Sequence, residues 1–413
     1  MTALEALERW GAYDRDNPFP LFAQVRAGGA VHHVTLADGH EAWLVVRYDE
    51  ARTALNDPRL SKDMHAAFEA DGAIVAEGLP GPAFARHMLS VDPPDHTRLR
   101  RLVSSAFYGR RVEALRPRVH AIVDSLLDAL AQSGRDATVN LVAGFAFPLP
   151  FTVICELLGV DEAQRARLGR GLTGMLVPTP TPEAYAAAKA CSDDVVAALH
   201  ELVDSKQAAP GDDLVSGLIR ARDGNDSLNN QELLSTLFQL VVAGHDTTTS
   251  LVGNAIVALL RHPEQHRRLR ENPDAIARAI EEFLRYDAPV PHSTFRYARQ
   301  PVEIGGVTIP QNGQVIISLA AANRDERRFD RPEYLDVDRD PAPHLAFGHG
   351  VHFCLGAGLA RMEASIALTS LLQRFPDMRL AVPDGDLRWD HGDGLVLRGL
   401  SALPVVLGAP AVS

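Results

Sequence analysis

Residues 347–361 read FGHGVHFCLGAGLAR, one cysteine set among glycines at 348, 350, 356 and 358 and followed at once by an amphipathic stretch. Glycine lets a backbone take positive φ and pass close to a flat ligand. Leu359, Met362 and Ile366 fall on one helical face, so the spacing predicts a helix over 356–374. Free N–H groups and the dipole of its first turn would stabilise a thiolate at Cys354 and donate to its sulfur. Taken alone, a glycine-rich turn burying a small thiol also fits a lone cysteine. The other two cysteines lie far off, Cys155 in the apolar run FTVICELLG and Cys191 in an Ala-rich segment. Three so widely spaced form neither a disulfide framework nor a zinc cluster.

Outward from this loop, 3.6-residue periodicity predicts further helices over 96–107, 110–132, 147–158, 183–206, 229–262 and 273–286. Strand patterns are fewer: VHHVTL (31–36), EAWLVVR (41–47), VEIGGVTIP (302–310) and QVIISLA (314–320), with Gly305 and Gly306 placed as a hairpin turn. The fold class read from this balance is mainly α with a minor β region. The stretch 229–262 is the longest helix, opened by Asn229 with Glu232 as capping-box partner and closed by Pro263. At 1.5 Å per residue it spans roughly 50 Å, which places its middle in the interior. That middle carries AGHDTTTS, residues 243–250. Thr247 can bond the carbonyl of Ala243 while Gly244 weakens the same turn, which predicts a local opening of the helix.

The 413 residues exceed the usual domain size, yet Gly and Pro are scattered and no linker, repeat or low-complexity tract divides them. A single domain over 1–413 is therefore expected. A net charge of −12 argues against nucleic-acid binding, with Arg98, Arg100, Arg101, Arg110 and Arg111 a local basic exception. The opening MTALEALERWGAYDRDN has neither the basic nor the apolar region of a signal peptide. Apolar runs break within about 10 to 14 residues, core-helix length, so the expectation is a cytoplasmic protein without a membrane span.

FGHGVHFCLGAGLAR resembles the heme-binding signature of the cytochrome P450 family. The resemblance implies a single triangular-prism domain whose long central helix crosses the heme, and heme b (iron protoporphyrin IX) as cofactor. It makes Cys354 the axial metal ligand, with Phe347, Gly348, His352 and Gly356 around it and Ala243 and Gly244 on the long helix. Thiolate donation suits this task because it pushes electron density toward O–O cleavage. AGHDTTTS resembles the family's oxygen-activation motif, whose acid is more often Glu in close relatives. Asp246 and Thr247 are then the catalytic acid–alcohol pair, a proton relay; alone, such a pair reads as locally satisfied polar residues. EEFLRYDAPV carries Glu282 and Arg285 at i and i+3, which with Arg339 match a structural trio. SVDPPDHTRLRRLVSSAF resembles the family's C-helix, which assigns His96 and Arg100, with Arg296 and His352, to the propionates.

The resemblance runs from DPRLSKD (57–63) to GLVLRGLSALP (394–404) and is closest to actinobacterial enzymes that oxidise macrolides and related natural products. It implies a monooxygenase that puts one atom of O2 into a C–H or C=C bond and releases the other as water. No flavin or nicotinamide segment is apparent, so a ferredoxin and its NAD(P)H-dependent reductase are the implied partners of a monomer. Arg98, Arg101, Arg110 and Arg111 read most simply as solvated charges, and the hypothesis is that some of them face that ferredoxin. The family's arrangement places the pocket along Met64–Leu89, including Met88 and Leu89, and along Leu172–Tyr185. Val242, Val290, Ser293, Thr294, Val396 and Leu397 complete it. These residues are mostly apolar or small, suiting a bulky lipophilic small molecule, a macrolide or polyketide first; as many would serve as plain core. His292, beside prolines, reads as solvent-facing. A peroxide-driven member of the family and a heme-based sensor are rival readings, and Asp246–Thr247 speaks against both.

Overall fold

Amphipathic runs form helices wherever an apolar stripe can be buried. Those of seven residues or more are α1 (Phe19–Gly28), α2 (Tyr48–Asn56), α3 (Asp95–Phe107), α4 (Arg116–Ala131), α5 (Pro148–Leu158) and α6 (Glu162–Met175). After them come α7 (Pro182–Ala208), α8 (Leu214–Arg220), α9 (Asn230–Arg261), α10 (Pro263–Glu271), α11 (Ile276–Tyr286) and α12 (Ala357–Arg374). This is a computed structural model, and it describes residues 2–37, 39–63, 86–107, 110–175, 181–221, 226–389 and 395–410, without the side chains of 3, 4, 105–107, 110 and 111.

Every long periodic stretch is helical, with two departures. The single helix expected over 110–132 is interrupted at Leu115 and restarts as α4, because Pro117 has no N–H to carry the ladder through. The stretch from 273 begins as a 3-10 turn, Pro273–Ala275, before α11. The helices α1, α2, α6, α8 and α10 have no counterpart in the periodicity reading. In the charged α10 only Gln265 and Leu269 are buried, which explains its faint signal.

The chain divides into two compact units. One comprises Met1–Ser61, Val119–Pro148 and Thr247–Ser413 and carries the strands. Its largest sheet has the order β1 (Val31–Thr35), β2 (Glu41–Val45), β8 (Gln314–Ile317), β5 (Arg296–Ala298), β3 (Leu60–Ser61). β2 and β8 run parallel, Trp43 opposite Val315, and the other pairs are antiparallel. β6 (Val302–Ile304) and β7 (Val307–Ile309) form the expected hairpin, with Gly305 and Gly306 both at positive φ. β4 (Thr138–Asn140), β10 (Pro404–Val406) and β9 (Arg379–Leu380) make a third sheet. One apolar core joins the large sheet to α2 and to Leu345, two residues before the cysteine-bearing stretch begins. The other unit, Lys62–Arg118 and Leu149–Asp246, is helical, with α6 and α7 packed together. Among the described residues no helix is long and apolar enough to cross a membrane.

Candidate active site

Cys354 stands just ahead of α12, half-buried and outside any disulfide. Its N–H donates to the carbonyl of Phe347 at 2.9 Å, which closes the loop on itself. Gly348 and Gly350 sit at φ +72° and +76°, and a Cβ at Gly350 would come 2.4 Å from Asn56 Oδ1 at the end of α2. No other residue fits there. Val351 and Phe353 beside the cysteine keep 49% and 39% of their surface accessible, unusual for large apolar residues in so ordered a loop.

Two charged clusters hold the approach to this loop. Glu282 on α11 takes Arg285 Nε at 2.7 Å and Nη2 at 2.8 Å, and Arg339 Nε lies 3.1 Å away. Arg285 also donates to the carbonyls of Asn323, Pro332 and Tyr334, and Arg339 to those of Asp330, Arg331 and Tyr334. One buried carboxylate thus ties down the 330–339 segment through both arginines. The second cluster escaped the sequence reading. Glu281, next in the chain, accepts from Arg361 on α12 at 2.6 and 2.9 Å and meets His344 Nε2 at 3.1 Å. Burial opposes its ionisation, but the bonds from His344 and Arg361 prevail and the carboxyl falls to about 2. Arg361 then lies flat over the Phe347 ring, 4.5 Å from its centroid. Glu363, one turn into α12, is the opposite case: burial without a partner for Oε2 pushes its carboxyl up to about 8. Neither glutamate carries a motif, since only the packing of α11 against α12 gives them their surroundings.

The α-helix α9 runs through AGHDTTTS unbroken, so the polar run needs no interruption of the helix. Here the expected opening is corrected: access comes from small side chains, with Ala243 exposed and Val242, Gly244 and Thr247 half-buried. His245, Asp246, Thr248, Thr249 and Ser250 are buried. Asn229 and Glu232 cap the start reciprocally at 2.9 Å each way. Glu232 also pairs with Arg98 of α3, as does Asp226 at 3.4 Å, so Arg98 is a structural cation rather than the solvated charge expected.

Comparison with known proteins decides what this loop belongs to. The family model described as cytochrome P450 matches residues 175–380. Cytochrome P450 107B1 of Saccharopolyspora erythraea is 45% identical over 402 residues, 96% of each chain. The chain is a cytochrome P450. A mycinamicin IV hydroxylase/epoxidase of Micromonospora griseorubida is 43% identical over 89% of this P450 and 90% of its own length. The tirandamycin C-bound P450 monooxygenase TamI superposes with a TM-score of 0.85 at 41% identity, over 95% of this chain and 98% of that one. The fold is that of the family, and the activity class is monooxygenase, an oxidoreductase that incorporates one oxygen atom.

Cytochromes P450 hold heme b through a cysteine thiolate. The strand-bearing unit of this P450 fits that group. It offers a cysteine outside any disulfide, with Gly356 beside it where a Cβ would come 4.0 Å from the sulfur. It also buries a guanidinium, Arg296, in strand β5, which lies between β8 and β3. His352 is half-buried in the 3-10 turn Gly350–His352. In the helical unit, His96 and Arg100 share one face of α3. Burial and the neighbouring Arg100 lower the His96 pKa, which keeps that ring neutral at pH 7.

The residues expected to line a pocket differ in burial. Met88 is buried and Leu89 half-buried; residues 64–85 and 176–180 of the expected lining lie outside the described residues, as do the side chains of Arg110 and Arg111. Leu172 is fully buried on α6, which packs against α7. Val290, Ser293, Thr294, Val396 and Leu397 are half-buried. The Ser293 hydroxyl already accepts the Ile317 N–H at 3.3 Å. His292 corrects a further expectation, because it is wholly buried instead of facing solvent. Its Nδ1 meets the carbonyl of Leu395 at 3.0 Å and its ring stands edge-on to Trp10 and Phe22. Burial drops its pKa to about 4, so it is a neutral tie to the segment that carries Leu395. Cys155, in its apolar run, is wholly buried, and burial pushes its thiol up to about 12.

Proposed function

We propose that this P450 hydroxylates or epoxidises a bulky lipophilic molecule of macrolide or polyketide type, with O2 and two electrons from a ferredoxin served by an NAD(P)H-dependent reductase. The observation that carries the substrate class is near-full-length similarity to a mycinamicin IV hydroxylase/epoxidase, joined by likeness to a P450 bound to tirandamycin C. The half-buried lining residues, apolar or small apart from Ser293 and Thr294, suit a substrate selected by shape.

Heme b, when bound, supplies the iron at which dioxygen is activated. In this proposal Cys354 would hold the iron through its thiolate, presented by the loop that Phe347, Gly348 and Gly356 shape. Arg296 and Arg100 offer charge to the propionates, and His96 and His352 offer hydrogen bonds. Ala243 and Gly244 leave α9 low enough for a flat ring to approach. Thr247 orients a water by its hydroxyl, and Asp246 passes protons to that water. The acid–alcohol pair favours a reductase-fed enzyme over a peroxide-driven one, whose chemistry needs no proton delivery.

The test is a spectral screen of the heme-loaded protein against macrolides, linear polyketides, terpenoids, steroids and fatty acids, followed by turnover with ferredoxin and reductase. Macrolides or polyketides should give the low-to-high-spin shift and an oxygenated product. A shift confined to fatty acids or steroids would overturn the substrate class, and product formed from peroxide alone would overturn the electron route.

A further inference from the structure

Glu281 grips the cysteine loop from two directions. Arg361 donates Nε and Nη2 to separate oxygens of its carboxylate, at 2.6 and 2.9 Å, a planar fork that an ammonium does not offer. His344 Nδ1 accepts the Ala346 N–H at 3.2 Å, so Nε2 carries the ring's proton and donates to Glu281 at 3.1 Å. Both donors then bear on Phe347. The guanidinium carbon stands 4.5 Å over the centre of its ring, and the His344 ring lies 6.0 Å from it, centroid to centroid. Phe347 in turn accepts the Cys354 N–H at its carbonyl, 2.9 Å away. An unbroken run of contacts therefore joins a carboxylate on α11 to the backbone of the residue that bears the sulfur.

We infer that Glu281 is a positioning residue for Cys354: through Arg361 and His344 it fixes Phe347, and through Phe347 the direction in which the sulfur donates. The inference rests on the proposed role of Cys354 as heme ligand. Glu282, next in the chain, has a different task. Its arginines hold Asn323 and the 330–339 segment, ahead of the loop, whereas the contacts of Glu281 end on the loop itself. The carboxyl of Glu281, held at about 2 by its two donors, keeps its charge at neutral pH. Arg361 leaves 37% of its side chain accessible. Without the carboxylate it has water to turn to, and the Phe347 ring loses its cover. Groups beyond a metal ligand orient it and set its basicity, and a thiolate turned out of line pushes less electron density toward iron.

The test is infrared spectroscopy and reductive titration of heme-loaded Arg361→Lys and Glu281→Gln beside the unmodified protein. Arg361→Lys keeps the charge but neither the fork nor the flat face over Phe347. In both variants weaker donation by the sulfur should raise the CO stretch of the ferrous carbonyl form and raise the midpoint potential. Heme affinity should fall roughly tenfold. The double variant should shift these no further than either single one, since both break the same linkage. Gln265→Leu separates positioning from stability. Gln265 is fully buried, accepts the Val337 N–H at 3.0 Å and donates to the Tyr334 hydroxyl at 3.0 Å. Its loss should lower the urea midpoint yet leave stretch and potential where they were. An unchanged stretch and potential in Arg361→Lys, with the long-wavelength Soret band present, overturns the inference. So does an equal shift in Gln265→Leu, which would show that loss of stability alone moves the sulfur. Absence of that band from the unmodified protein would instead remove the ligand assignment, and the inference with it, so the two failures are told apart.

Discussion

A histidine meets a carboxylate at 3.1 Å in the cysteine loop and again in the polar turn of α9, and the two contacts differ in kind. In the loop, His344 accepts the Ala346 N–H at Nδ1 and faces Glu281 with Nε2, so a neutral ring with one proton satisfies both sides. In the turn, His245 Nδ1 meets the carbonyl of Val241 at 2.8 Å, while Nε2 comes within 3.1 Å of Asp246 Oδ1 without the alignment of a hydrogen bond. The imidazole in the loop holds its carboxylate; the imidazole in the turn only stands beside it. The same pair of side chains is a fastening in the loop, and in the turn it belongs to the machinery proposed above.

The comparison breaks hardest at the sulfur. Replacing Cys354 with His should abolish the long-wavelength Soret band of the ferrous carbonyl form and all monooxygenase turnover, read by difference spectroscopy; survival of the band would move the ligand elsewhere. Next comes the fastening. Glu282→Ala leaves Arg285 buried without its carboxylate and should lower unfolding stability by about 3–5 kcal/mol in urea titrations. A loss within experimental scatter would show that the carbonyls around Arg285 suffice. The machinery should behave oppositely. Thr247→Ala should keep the fold and the heme but lower product turnover roughly 10²-fold while peroxide rises, measured as product and peroxide per NAD(P)H.

The finest test lies in α12. Glu363 holds its proton to about pH 8 when folded, against 4.5 when unfolded, so the unfolded chain loses that proton first. Stability should therefore fall as pH rises between those values, by up to about 1.4 kcal/mol per pH unit, and level off above. Glu363→Gln should flatten that slope and be the more stable protein at pH 8, checked by thermal melts across the range. An unchanged slope would show that Glu363 finds a partner in solution.

Much of this was legible in the chain because it depends on local spacing. FGHGVHFCLGAGLAR announces its loop, since positive φ at 348 and 350 needs glycine whatever surrounds it. Asn229 and Glu232 announce the start of α9 for a similar reason, because their bonds close within four residues. Glu282 and Arg285 were readable as a pair, but not as an anchor for three distant carbonyls. Glu281, Arg361 and His344 were silent, being 63 and 80 positions apart along the chain. Spacing along the chain does not show which side chains the tertiary packing encloses, and so His292 passed for surface.

The sequence by itself determined the cysteine, the glycines that frame it, the capped long helix and the acid–alcohol pair, because each is set by neighbours a few bonds away. Tertiary structure alone decided the charge state of the buried glutamates. It depends on desolvation and on partners brought together only by packing: Glu363, buried without a partner for Oε2, stands at about 8, and Glu281, bonded by His344 and Arg361, at about 2.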